Sequence, residues 1–248
     1  MKSLAIDQLM DLKNLKTLKI ELTRFMMAYK FALDEMSTKI NILKDEFNYI
    51  HDYNPIEHVK SRLKSPESIL KKVQRKGYTF SLQSIKENIR DIAGIRITCS
   101  FKSDIYELSK MISMQKDIRV VEYKDYIKNP KPNGYQSLHM ILEIPIFMSD
   151  REELTYVELQ IRTIAMDFWA SLEHKIYYKY NKDVPQQLID ELKDAAEMAA
   201  HLDLKMEGIH KEISAIKQAD ENEAALRLFN VGSEKLNLRL LETLIEKA

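Results

Sequence analysis

The sequence predicts an α/β or α+β fold with helix in excess, and three observations carry that reading. Glycine and proline are scarce, five and six among 248 residues, while methionine reaches twelve, a balance suited to long helices and short of tight turns. Apolar residues recur at steps of three and four towards both ends of the chain but alternate with polar ones in its middle. A hydrophobic content of 45% supports one substantial core, so a single domain over 1–248 is expected, with helical flanks at 1–54 and 181–248 around a core at 55–180.

The first element is a long helix, or two in line. Leu15, Leu18, Leu22, Phe25, Tyr29, Leu33, Met36, Ile40, Leu43, Phe47 and Ile50 form one stripe, which Asn54-Pro55 ends because proline bars its predecessor from helix. A second amphipathic stretch runs from about Pro55 to Lys76, with Ser65-Pro66 as a local helix start. In Ile95 to Phe101 apolar and polar residues alternate, as a half-buried strand requires. Residues 103–115 return to helix, and 118–123 read as a second strand. After a loop holding Asn129-Pro-Lys-Pro-Asn-Gly134, strands are predicted from Leu138 to Ile144 and from Tyr156 to Arg162, then a helix from about Ile164 to Tyr180.

Beyond Pro185, Leu188, Leu192, Ala195, Ala199, Leu202, Met206, Ile209, Ile213 and Ile216 form a heptad seam. At about 1.5 Å per residue that helix is roughly 43 Å long, so part of its stripe needs the N-terminal helix or a second subunit. A break at Asn230-Val-Gly232 separates it from a Leu-rich packing helix over Ala224 to Ile245.

Basic and acidic residues both number 38, so no overall charge calls for a nucleic-acid or membrane partner, and any anion site must be local. The first ten residues contain no apolar run, so neither a signal peptide nor a spanning helix is expected. Cys99 is the lone cysteine, which excludes an internal disulfide and a CxxC metal or redox site and makes the cytoplasm the simplest compartment.

Residues 59–76 gather seven basic side chains and one acid, Glu67. Such a run can clamp a polyphosphate, with Arg giving bidentate contacts and Lys point charges; taken alone it is equally a solvated helix face. No P-loop or G-x-G-x-x-G sequence occurs, so phosphates would be held by side chains and not by a glycine cradle. Alternation places Tyr156, Glu158, Gln160 and Arg162 on one strand face, where carboxylate, amide and guanidinium can hold metal, hydroxyl and phosphate, or simply form a mixed polar surface. Asp91, before the first predicted strand, suits Mg²⁺, which takes one or two carboxylates plus substrate phosphates; a helix terminus or salt bridge would use it equally. Tyr135 follows an Asn-Gly turn and can stack on a base or pack internally. The six histidines show no H-x-x-x-H spacing, and His51-Asp52 lacks the further ligands of a metal phosphohydrolase.

Together these stretches resemble the synthetase domain of the RelA/SpoT family over roughly 55–180. The resemblance is carried by Arg62-x-Lys-x-x-x-Ser68-x-x-x-Lys72, Asp91-Ile-Ala-Gly-Ile-Arg96, Lys124-Asp-Tyr-Ile, Pro130-Lys-x-Asn-Gly-Tyr-x-Ser-x-His139 and Glu158-x-Gln-Ile-Arg-Thr163, in order. The helix from Ala165 to Tyr180 looks like that of the short members, and the Asn129–Gly134 loop is most similar to the RelP branch. The resemblance implies a mixed sheet of about four to five strands flanked by helices, nucleotidyltransferase-like, and attack of a guanosine 3′ hydroxyl on the β-phosphorus of ATP with AMP leaving. It implies that Arg62 and Arg96 sandwich adenine and that Lys64, Ser68 and Lys72 hold ATP phosphates. Asp91 and Glu158 would bind Mg²⁺, with Glu158 also the base. Tyr135 would stack on guanine, while Lys124, Lys131, Asn133, His139 and Gln160 would serve the GDP or GTP acceptor. Residues 1–54 look like simple helix, so a separate hydrolase domain is not expected, whereas a homo-oligomer, in family terms a homotetramer, is. The competing readings are a transferase of nucleoside monophosphate, which releases pyrophosphate, and a non-catalytic RNA-binding scaffold, whose binding would depend steeply on salt.

Overall fold

The computed structural model describes residues 2–51, 53–177 and 184–231. Helix α1 (Lys2–Ile50) leads into strand β1 (Ile56–Leu63), helices α2 (Pro66–Lys76) and α3 (Leu82–Asn88), and strand β2 (Ala93–Cys99). Helix α4 (Lys102–Ser113) then precedes β3 (Arg119–Asp125), β4 (Leu138–Phe147) and β5 (Glu152–Thr163), followed by α5 (Ile164–Tyr177) and α6 (Gln186–Val231). The sheet order is β1-β2-β5-β4-β3, and only the β2–β5 pair is parallel. This is the mixed sheet with flanking helices that was expected.

The core lies on one face of the sheet. Tyr29, Ala32, Leu33, Met36 and Ile40 of α1 and Ile105, Leu108 and Ile112 of α4 are buried together with Ile95 and Ile97 of β2, Met140 and Leu142 of β4, and Val157, Leu159 and Ile161 of β5. Strand alternation therefore turns the even-numbered residues of β2 and β5 to the opposite face, away from this apolar layer.

Residues 56–63, expected within an amphipathic helix-like stretch, instead form an edge strand antiparallel to β2. Ile56, Val59 and Leu63 are spaced three and four apart and so mimic helix, but the exposed edge of β2 supplies backbone partners that outweigh the local pattern, and a register irregularity between Ile56 and His58 absorbs the mismatch. The strand read as first is therefore the second, and the fourth is the fifth. Helix does begin at Ser65-Pro66: the Ser65 hydroxyl accepts from the Ser68 amide at 3.3 Å, and Gly77, at φ +67°, ends it in a left-handed cap.

By internal contacts the chain forms two units, Met1–Asp203 and Leu204–Ala248. Within the first, the start of α6 packs onto Trp169 through Leu192 and Ala199 of the predicted seam and through Ala196 beside it, while Leu188 and Leu202 of the seam stay exposed. Small side chains on that face let the helix approach closely. The second unit is helical to Val231, so the break at Asn230-Val-Gly232 begins where the described helix ends, and the predicted helix beyond it lies outside the described residues.

Candidate active site

Pairing register lines the polar face with two rows of functional side chains. Lys60, Arg96, Gln160, His139 and Lys124 are successive cross-strand partners from β1 to β3. The adjacent row is Arg62, Gly94, Glu158, Ile141 and Glu122. Gly94, having no side chain, leaves the floor open between Arg62 and Glu158.

Two clefts open onto these rows. One of about 340 Å³ is lined by Lys60, Arg62, Lys64, Arg96 and Gln160 among others, and one of about 690 Å³ by Lys72, Lys76, Arg90, Lys124, Lys131 and His139 among others. Asp91 and Glu158 line both, so the two carboxylates stand where the clefts meet. A pair of cationic clefts joined at two carboxylates can take two phosphate-bearing molecules with their reacting atoms between them.

Asp91 lies in the turn between α3 and β2. Its carboxylate is held by Lys64 Nζ at 2.5 Å and Lys72 Nζ at 2.8 Å, contributed by the residue after β1 and by α2. Burial alone would raise its pKa, but the two ammonium groups outweigh burial and hold it below the usual carboxylate range. Glu158 is similarly depressed. Burial and the charge of Asp91 act to raise it, while His139 and the Gln160 amide, which donates to Oε2 at 3.0 Å, lower it further. Lys124 is held above the usual lysine range by the carboxylate of Glu122.

His139 joins two parts of the site. Its Nδ1 faces Glu158 Oε1 at 3.5 Å, and its Nε2 lies 2.7 Å from the hydroxyl of Tyr135. Arg162 donates to that same hydroxyl at 2.6 Å, and a proton on His139 Nδ1 would point towards the carboxylate. Lys131 stands over the rings of Tyr126 and Tyr135 at 4.7 and 4.8 Å, making a cation–aromatic cluster at the larger cleft.

Of the residues anticipated from sequence, Arg62, Lys64, Arg96, Asp91, Glu158 and Gln160 come together in the smaller cleft, and Lys72, Lys124, Lys131 and His139 join the two carboxylates in the larger. Ser68, Asn133 and Tyr135 line neither. Ser68 sits at the α2 start, its hydroxyl 3.1 Å from that of Ser65. Asn133 braces the loop, accepting from the Tyr135 amide and donating to Glu173. Arg162 was placed on the functional strand face by alternation but given no role of its own, and nothing local marks Asp167, which lies in the first turn of α5 and meets Arg162 and Arg96 only in the folded chain.

The fit to a divalent cation is specific in kind. Among the described residues no cluster of three or more His, Cys, Asp or Glu side chains could hold a metal by itself. Two carboxylates facing cationic clefts fit an ion such as Mg²⁺ whose remaining ligands come from substrate phosphates.

A family model described as a region found in RelA/SpoT proteins matches residues 61–183. GTP pyrophosphokinase YwaC of Bacillus subtilis is 56% identical over 200 residues, covering 81% of this chain and 95% of that protein. The chain belongs to the RelA/SpoT family. Among solved structures, small alarmone synthetase 2 from Bacillus subtilis matches with 57% identity and a TM-score of 0.69, over 75% of this chain and 96% of that one. Small alarmone synthetase 1 from the same organism, bound to its product pppGpp, matches with 38% identity and a TM-score of 0.72, over 78% and 98%. The RelA/SpoT match spans β1 to α5, and so includes every residue of the two rows except Lys60.

Proposed function

We propose that this RelA/SpoT chain is a (p)ppGpp synthetase, moving pyrophosphate from ATP to the 3′ hydroxyl of GDP or GTP and releasing AMP. The observation that carries the reading is the meeting of two cationic clefts at Asp91 and Glu158. The smaller cleft takes ATP, with Arg62 and Arg96 on adenine and Lys64 on its phosphates, which would also meet Lys72 of the larger cleft beside Asp91; Ser68 at the α2 N-terminus extends that grip. The larger takes the acceptor, with Lys124, Lys131 and His139 towards its phosphates; Gln160 would reach the sugar from the smaller cleft, Tyr135, held against His139, would stack on guanine, and Asn133 shapes the loop.

Asp91 and Glu158 would hold Mg²⁺, with Lys64 and Lys72 available to the substrate phosphates, and the ion would supply charge neutralisation to the transferring group. Glu158, kept ionised by His139 and Gln160, takes the proton of the attacking hydroxyl. No covalent enzyme intermediate is needed, because transfer of this kind depends on alignment and charge neutralisation.

The finer features follow the same reading. A homotetramer is supported by the exposed stripe of Ile164, Phe168, Leu172 and Ile176 on α5, and sedimentation as a monomer at micromolar concentration would refute it. We place the protein in the cytoplasm, where both nucleotides are abundant; among the described residues no helix is long and apolar enough to cross a membrane. The RelP branch rests on the Asn129–Gly134 loop.

The deciding experiment incubates purified protein with radiolabelled ATP, Mg²⁺ and GDP or GTP. A tetra- or pentaphosphorylated guanosine appearing with equimolar AMP is expected. Release of pyrophosphate would replace the reading with nucleotidyl transfer, and absence of turnover would leave only nucleotide binding.

A further inference from the structure

The two clefts are joined by a second connection, behind Glu158. Asp167, in the first turn of α5, meets two arginines through one carboxylate oxygen: it accepts from Arg162 Nη1 at 3.2 Å and forms an ion pair with Arg96 Nη1, also at 3.2 Å. Arg96 belongs to the smaller cleft. Arg162 is 4% exposed and reaches towards the other nucleotide, donating to the Tyr135 hydroxyl at 2.6 Å and to Gln160 Oε1 at 2.9 Å, with its guanidinium 5.1 Å from the centre of the Tyr135 ring.

We infer that Asp167 is a positioning residue that holds Arg96 and Arg162 in register and so makes the ATP and acceptor half-sites interdependent. Three observations carry this. Arg96 has few other anchors: its Nε is buried without a hydrogen-bond partner, so the ion pair to Asp167 sets the orientation of its guanidinium plane. Arg162, a buried cation, requires a counter-charge, and Asp167 is the carboxylate it meets. Both guanidinium groups converge on the same oxygen, so a shift of either arginine is felt by the other. Neither Arg96 nor Tyr135 touches its counterpart directly; the path runs Arg96, Asp167, Arg162, Tyr135. Stacking of a base on Arg96 fixes that guanidinium, which steadies Asp167 and Arg162 and presents Tyr135 in its stacking position.

The inference rests on the assignment of Arg96 to ATP and Tyr135 to the acceptor. Its test is steady-state kinetics of Asp167→Asn, which keeps size and removes charge, with both substrates varied. KM for ATP and KM for the acceptor are both expected to rise about tenfold, a loss of about 1.4 kcal/mol in each case, with kcat reduced less. In an Arg96→Ala background, Asp167→Asn should add nothing to the ATP KM; a merely structural role would give multiplying effects. Asp167→Glu, which keeps the charge one methylene further out, should fall between wild type and Asn, and it serves if the Asn variant does not fold. Unchanged KM values, a rise in only one of them, or multiplying effects overturn the inference. Arg96→Ala and Tyr135→Ala, measured alongside, separate the failures. If each leaves its own nucleotide's KM unaltered, the half-site assignment is wrong and the inference falls with it; if each behaves as assigned and Asp167→Asn does not, the inference alone is wrong.

Discussion

His139 and Glu158 face each other from neighbouring strands, imidazole Nδ1 to carboxylate Oε1, at 3.5 Å. Burial and Asp91 push the Glu158 carboxyl up, and His139 is the larger of the two side-chain contacts that bring it below the usual range. Glu158 must be ionised to act as base, so a lower pKa extends activity to lower pH. His139→Ala removes that contact and should move the acidic limb of the kcat/KM profile to higher pH, as a pH–rate series would register. A limb that stays in place, or moves down, would show that Glu158 is not the group being titrated.

Replacing the carboxylate itself separates binding from chemistry. Glu158→Gln should leave ATP affinity within a few-fold of wild type, since Lys64, Lys72 and Arg62 remain, while lowering kcat by at least about 10² to 10⁴, the usual range for a general base. Near wild-type turnover in single-turnover assays would remove Glu158 from that role.

Gly134 is shaped by α6. Its φ of +86° disfavours any side chain, and an added Cβ would lie 2.5 Å from that of Ala196. Gly134→Ala should therefore displace the turn that carries Tyr135, raising the acceptor KM while the ATP KM holds, and lowering stability by about 1–2 kcal/mol. Chemical denaturation alongside kinetics tests both, and an unaltered acceptor KM would dissociate the turn from acceptor binding.

Tyr29 offers a stabilising change away from the site. Its hydroxyl is buried in the α1 core contact with no hydrogen-bond partner among the described residues, and burial raises its pKa. Tyr29→Phe removes an unsatisfied polar atom without opening a cavity and should raise stability by about 1 kcal/mol, read as a higher urea midpoint with unchanged slope and unchanged kinetics.

What could be read along the chain was whatever depends on near neighbours. Three-and-four spacing marked α1, whose residues Tyr29, Met36 and Ile40 are buried, and alternation put Glu158 and Gln160 on one face because a strand turns successive side chains to opposite sides. Ser65-Pro66 announced the start of α2, since a hydroxyl cap and a preset proline φ act within one turn. Folding was needed wherever the partner is distant. Residues 56–63 are a strand because β2 offers them an edge; Asp91 and Glu158 converge because β2 and β5 pair in parallel at one register; and Ala196 joins Leu192 and Ala199 of the predicted seam on the packed face of α6 because Trp169 and Gly134 meet it there. The pairing of Asp167 with Arg96 and Arg162 belongs to the same class, as a charge on a helix surface carries no local sign of which cation it will meet.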